Sequence, residues 1–126
     1  MKSSLNGNSG IMSNVVRRGE IYWVDWNPSR GSEQAGKRPA LIIQNDSGNK
    51  SSPTTIIAAC SAAQEKTYPF LVPITRKESA LPKDCNINLA AIMTIDKSRL
   101  VDKAGELTEE KMDEVDIAIK ISLGLQ

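Results

Sequence analysis

The chain has 126 residues, 40% of them apolar and 25% charged, the profile of one soluble domain that can bury a core without disulfides or metals. It holds no histidine, which excludes imidazole-based zinc sites, Ser-His-Asp triads and histidine acid–base pairs, so any catalysis must use carboxylates, Arg, Lys, hydroxyls or Cys. The net charge of +1 is unevenly shared: residues 1–66 carry eight Lys/Arg against five Asp/Glu (+3), and residues 67–126 eight against ten (−2), which permits a basic face without identifying a polyanion as its partner.

"MKSSLNGNSGIMSN" opens with a lysine but has no apolar segment behind it, so it does not read as a secretory signal. Its Ser, Asn and Gly content predicts a flexible extension over residues 1–15, ahead of a single domain over 16–126. Met12 can serve as a start, which would make residues 1–11 an added segment. No apolar run reaches the ~18 residues of a membrane span, and a cytoplasmic location is expected.

"GEIYWVDW" (19–26) is aromatic, β-branched and alternating, and ends at Asn27-Pro28; it predicts a strand followed by a turn. A polar loop then leads to Lys37-Arg38-Pro39 and the continuous apolar run "RPALIIQN" (38–45), expected as a central strand. "DSGNKSSP" (46–53) reads as a turn-rich loop, and "TTIIAACSA" (54–62) as a third strand. "PFLVPIT" (69–75) is a fourth strand, with Pro73 pointing to a sheet edge or a bulge. "RKESALPKDC" (76–85) is a polar connection, and Cys60 and Cys85, with no CxxC spacing, are expected as reduced, buried or half-buried thiols.

"NINLAAIMTI" (86–95) predicts a fifth strand or strand pair, and "DKSRLVDKAGEL" (96–107) a turn followed by a short strand or helix. Thr108 is a good N-cap, with Glu109 and Glu110 placed favourably in the first turn. Met112, Val115, Ile119 and Leu123 recur at helical spacing and predict a closing amphipathic helix with its apolar stripe in the core. The sum is a mainly β fold with helices (α+β), a small barrel carrying a C-terminal helix.

"RRGEIYWVDWNP", "GSEQAGKRPALIIQND", "SPTTIIAACSA", "YPFLVPI", "TIDKSRLVDK" and "MDEVDIAIKISLGL" together resemble the MazF/PemK family of toxin endoribonucleases from type II toxin–antitoxin systems, from about Arg18 to Leu125. The resemblance implies an SH3-like barrel (the CcdB/PemK-like toxin fold) and a homodimer. It also implies sequence-specific cleavage of single-stranded RNA, without a metal or other cofactor, and inhibition by a cognate antitoxin with an acidic, flexible segment. It places the catalytic arginine at Arg38 and the catalytic hydroxyl at Ser61, where relatives carry threonine; serine keeps the oxygen but lacks the methyl that stiffens χ1. Glu33 is the best proton acceptor in the loop. Arg18, Gly31, Ser32, Gln34, Ala35, Gly36, Lys37 and Asn45 are the expected RNA-contacting residues. Ala90, Ala91 and Met93 stand where relatives usually carry an acid or amide, a Gln and an Arg, which bears on cleavage rate or sequence preference and leaves the fold untouched.

The chemistry is consistent with those residue types. RNA is cut when its own 2′-hydroxyl attacks the adjacent phosphorus, leaving a 2′,3′-cyclic phosphate and a 5′-hydroxyl. An arginine fork suits the phosphorane that forms, and a serine hydroxyl can donate to a non-bridging oxygen. Other readings stay open from the residues alone: Arg38 pairing with Glu33, Ser61 as a satisfied strand hydroxyl, Glu33 as a solvated loop charge. Trp23 and Trp26 either stack on unpaired bases or pack in the core or a dimer. A member of the family that binds but does not cut is one rival, and a gyrase-binding toxin of the same fold, acting through a C-terminal helix surface, is another.

Overall fold

The computed structural model describes residues 15–26 and 36–126. In chain order the elements are β1 (Glu20–Asp25), β2 (Lys37–Ile42), α1 (Asp46–Ser51), β3 (Thr54–Ala62), β4 (Leu71–Ile74), α2 (Arg76–Ser79), β5 (Cys85–Asp96), a 3-10 turn (Lys97–Arg99), β6 (Leu100–Glu106) and α3 (Glu109–Leu123). The strands form one antiparallel sheet in the order β4-β5-β3-β2-β1-β6. Strand β3 occupies the span expected from the sequence, and Pro73 lies on β4, an edge strand, where its missing N–H costs no ladder bond.

Two apolar clusters follow from the alternation of side chains along the strands. Ile21, Leu41, Ala58, Ile87 and Leu89 pack with Met112, Val115 and Ala118 of α3. On the opposite face, Tyr22, Val24, Ala40, Ile42, Ile57 and Ile95 gather with Val16 and with the half-buried Trp26 and Leu100. Helix α2 follows edge strand β4 yet packs against β6 at the other edge. The approach is close: a Cβ at Gly105 of β6 would lie 2.3 Å from the carbonyl oxygen of Ser79. The two edges are thus drawn toward each other through α2, which curls the sheet.

Three expectations are corrected. Residues 46–51 are helical: Asn45 caps α1 by accepting from the Gly48 N–H, and the buried Asn49 ties the helix to Gln44 and Thr55. Within the polar connection, Arg76–Ser79 form α2 under a capping box between Thr75 and Glu78. The apolar stripe of α3 is buried at Met112, Val115 and Ala118, half-buried at Ile119 and 57% exposed at Leu123. The cap on α3 is as expected, with the Thr108 hydroxyl accepting from the Lys111 N–H, and Gly124 ends the helix in the left-handed conformation.

Candidate active site

The two expected catalytic residues lie on neighbouring strands, Arg38 on β2 and Ser61 on β3. β2 and β3 pair as Ala40↔Ala59, Leu41↔Ala58 and Ile42↔Ile57. Arg38 and Ser61 each stand two residues beyond the Ala40↔Ala59 pair, at the same end of the two strands. On its other side Arg38 pairs with Val24 of β1, and Ser61 pairs with Asn86 of β5, which in turn faces Pro73 of β4. Directly opposed residues project to the same face of a sheet, so Ser61 and Asn86 share a face, and Arg38 stands at the neighbouring end of β2, beyond the paired Ala40 and Ala59.

Arg38 is exposed, and its position is set by Trp26. The guanidinium carbon lies 5.5 Å from the indole centroid, and Trp26 Nε1 donates to the Arg38 carbonyl oxygen at 3.2 Å. Trp26 is itself held against the second apolar cluster, and its backbone N–H reaches the Gly36 carbonyl at 3.3 Å. Gly36 has φ +45°, a left-handed turn into β2 that favours glycine. Lys37 is exposed and faces Asp25 across the ladder. Ser61 is half-buried near the end of β3.

Beside Ser61 lies a cavity of about 380 Å³, walled mainly by Trp23, Pro39, Cys60, Leu81, Pro82 and Cys85, with Lys83 and Asp84 at its polar margin. Cys60 and Cys85 are free thiols on one face of neighbouring strands, close enough for their titrations to interact through an S–H···S bond when one is ionised. That bond from Cys60, together with burial, drives the Cys60 pKa up, and the same bond steadies a Cys85 thiolate and draws its pKa down, so Cys85 is the first of the pair to ionise. Among the described residues, no group of three His, Cys, Asp or Glu side chains is placed to hold a metal ion.

The other expected site residues separate into two groups. Glu33, Gly31, Ser32, Gln34 and Ala35 lie outside the described residues. Arg18 and Asn45 lie beyond the far end of β2 from Arg38, and both are engaged in the fold. The Arg18 guanidinium meets Asp116 of α3 at 2.6 Å and the Ile43 carbonyl at 2.9 Å, while its backbone N–H donates to Asp46 at 2.7 Å. Asn45 caps α1. Trp26, read from the sequence as a base-stacking or packing aromatic, joins the site through its contacts with Arg38; Asn86, not singled out from the sequence, joins through its register with Ser61. Asn86 heads the mainly apolar run "NINLAAIMTI" (86–95), but Asn88 and Thr94 share that run, so nothing local distinguishes Asn86, and nothing local distinguishes Trp26 from a packing aromatic.

Residues 17–123 match the family described as PemK-like, MazF-like toxins of type II toxin–antitoxin systems. Among solved structures, an endoribonuclease from a mycobacterial species is similar at 25% identity, over 89% of this chain and 94% of that one, with a TM-score of 0.73. A mycobacterial endoribonuclease in complex with its cognate antitoxin is similar at 24% identity, over 88% and 97% of the two chains, with a TM-score of 0.73. A MazE–MazF structure from Deinococcus radiodurans is similar at 21% identity, over 89% and 99%, with a TM-score of 0.72, and these last two bear on the fold alone. With the match spanning nearly the whole described domain, the chain belongs to the PemK-like, MazF-like toxin family.

Proposed function

We propose that this protein is a toxin endoribonuclease that cuts single-stranded RNA by in-line attack of the substrate's own 2′-hydroxyl. The observation that supports this reading is the location of Arg38 and Ser61 at the same end of the adjacent strands β2 and β3, each two residues beyond the Ala40↔Ala59 pair. In the reaction the P–O2′ bond forms and the P–O5′ bond breaks, giving a 2′,3′-cyclic phosphate and a 5′-hydroxyl. Arg38 spans two non-bridging oxygens and offsets the extra charge of the phosphorane. Ser61 donates to one of those oxygens. Because Arg38 supplies the charge a cation would otherwise bring, the reaction is expected to run without added metal. Glu33 is the proposed acceptor of the 2′-hydroxyl proton, and Gly36 and Lys37, with the loop before them, form the approach for the RNA strand.

The cavity beside Ser61 has apolar plates in Trp23, Pro39 and Pro82 and polar groups at its margin, which suits an unpaired base flanking the scissile phosphate. Exposed apolar residues on α3, Ile117 at 60% and Ile121 at 50%, fit a homodimer, and a cognate antitoxin with an acidic, flexible segment would block the RNA approach. Ala90, Ala91 and Met93 on β5 favour a second reading, a family member that binds RNA or antitoxin and cuts slowly or not at all.

The test is to incubate the protein with a long single-stranded RNA in EDTA and analyse the new ends. Site-selective fragments that accept a 5′-phosphate from polynucleotide kinase without prior phosphatase treatment are expected. Intact RNA, or fragments already bearing 5′-phosphates, would overturn the cleavage chemistry, and gyrase inhibition would then be assayed.

A further inference from the structure

We infer that Asn86 is a positioning residue for the Ser61 hydroxyl, an inference that rests on the role proposed above for Ser61. Asn86 is 3% exposed, and among the described residues its Nδ2 is the buried side-chain nitrogen left without a hydrogen-bond partner. A buried amide N–H₂ without an acceptor is costly, and a packed sheet tolerates one poorly unless it serves a purpose. Its direct cross-strand neighbour is Ser61, and opposed pairs keep their Cβ atoms ~5 Å apart, within reach of a side-chain hydrogen bond after one χ1 rotation of the serine. The other flank of Asn86 is Pro73, which offers no side-chain acceptor. Nδ2 is sealed from solvent, so it acts through Ser61 and does not reach RNA itself.

A serine hydroxyl has one proton and two lone pairs. With no second substituent on Cβ, its χ1 is free to wander among staggered wells. A bond from Asn86 Nδ2 into one lone pair selects the rotamer and leaves the hydroxyl proton directed away from the amide, free for a phosphate oxygen. The amide thus supplies the orientation that a β-branched side chain would supply by sterics.

The test uses Asn86→Val, Ser61→Ala and their double variant, with Ser61→Thr as the rescue. Asn86→Val replaces the amide with an apolar side chain of similar volume, so its melting temperature should stay within about 4 °C of wild type. Yet its kcat on single-stranded RNA should fall about tenfold with KM unchanged, the worth of one hydrogen bond. A residue of purely structural importance would not lower kcat while leaving stability unchanged. In the Ser61→Ala background, Asn86→Val should have no further effect on kcat, and Ser61→Thr should restore most of the activity of Asn86→Val. Cleavage by Asn86→Val at the wild-type rate, or an undiminished loss in the Ser61→Ala background, overturns the inference. If the wild type does not cut RNA, the nuclease reading fails on its own. The pairing is then judged by NMR: the Asn86 side-chain amide protons should lose exchange protection in Ser61→Ala, and unchanged protection overturns it.

Discussion

Trp26 grips Arg38 at two points, its ring 5.5 Å from the guanidinium carbon and its Nε1 donating to the Arg38 carbonyl at 3.2 Å. An exposed arginine keeps many rotamers unless something holds it, and ordering it during binding would cost side-chain entropy. The indole supplies that order in advance, because it is anchored to the apolar cluster around Val24 and Ala40. Replacing it by an aliphatic side chain removes the ring contact and the hydrogen bond together, worth about 1–2 kcal/mol in all. Trp26→Leu should therefore lower kcat/KM on single-stranded RNA about tenfold, and Trp26→Phe, which keeps a ring, by less. Steady-state kinetics on an oligoribonucleotide would show it; a Trp26→Leu enzyme as active as wild type would mean that something else orients Arg38.

The Ser61 hydroxyl is assigned a single donated hydrogen bond to a charge that grows in the transition state. Loss of one such donor costs about 100-fold in kcat where the site is preorganised. Ser61→Ala should show a loss of that order while remaining folded, since the side chain is half-buried and lies near the end of β3. Equal rates for Ser61→Ala and wild type would remove Ser61 from the mechanism.

Fold stability has a different centre. Asn49 is 1% exposed, its Oδ1 accepts from Thr55 Oγ1 at 2.7 Å and Gln44 Nε2 at 3.0 Å, and its Nδ2 donates to the Gln44 carbonyl at 2.9 Å. Lys97 adds a bond to the Asn49 carbonyl. Asn49→Ala strands the buried Thr55 hydroxyl and the Gln44 groups and should destabilise by about 3 kcal/mol, read from urea unfolding. A change below about 0.5 kcal/mol, the range of an unremarkable surface substitution, would contradict this network's role.

Stability should also fall with acid through Glu78. The Thr75 backbone N–H, and then the Lys111 ammonium, hold the Glu78 carboxyl below its ordinary value of 4.5. A folded-state pKa lower than the unfolded one adds stability above the unfolded value, and that contribution is lost as pH falls through the folded value. Wild type should accordingly lose more stability than Glu78→Gln on going from about pH 5 to about pH 3, the two converging at the acid end. Parallel curves across that window would show that Glu78 does not titrate differently in the folded chain.

Much of the fold was legible in the sequence, because hydrophobic period and turn residues encode it locally. The Thr54–Ala62 strand, the edge position of Pro73 and the Thr108 cap are direct readings of such patterns. Helix α1 was not, since Ser, Gly and Asn favour turns in isolation and only the buried bonds of Asn49 with Gln44 and Thr55 fix the helix. Helix α2 carried a readable signature in Thr75 and Glu78, overshadowed by the polar composition around it. Leu123 keeps the helical period but turns outward, while its neighbour Ser122 faces the sheet and donates to the Leu89 carbonyl at 2.7 Å. At the site, Arg38 and Ser61 were found through a family resemblance. The pairing of Ser61 with Asn86 depends on the register of two strands, which single-strand patterns do not contain.

The most direct measurement is RNA cleavage by wild type beside Arg38→Ala and Arg38→Lys, with circular dichroism confirming that all three are folded. Wild type should cut site-selectively in EDTA, Arg38→Ala should be slower by about 1,000-fold or more, and Arg38→Lys should recover only part of the loss, because its ammonium cannot span two phosphate oxygens. Cleavage by Arg38→Ala at the wild-type rate would remove Arg38 from the chemistry.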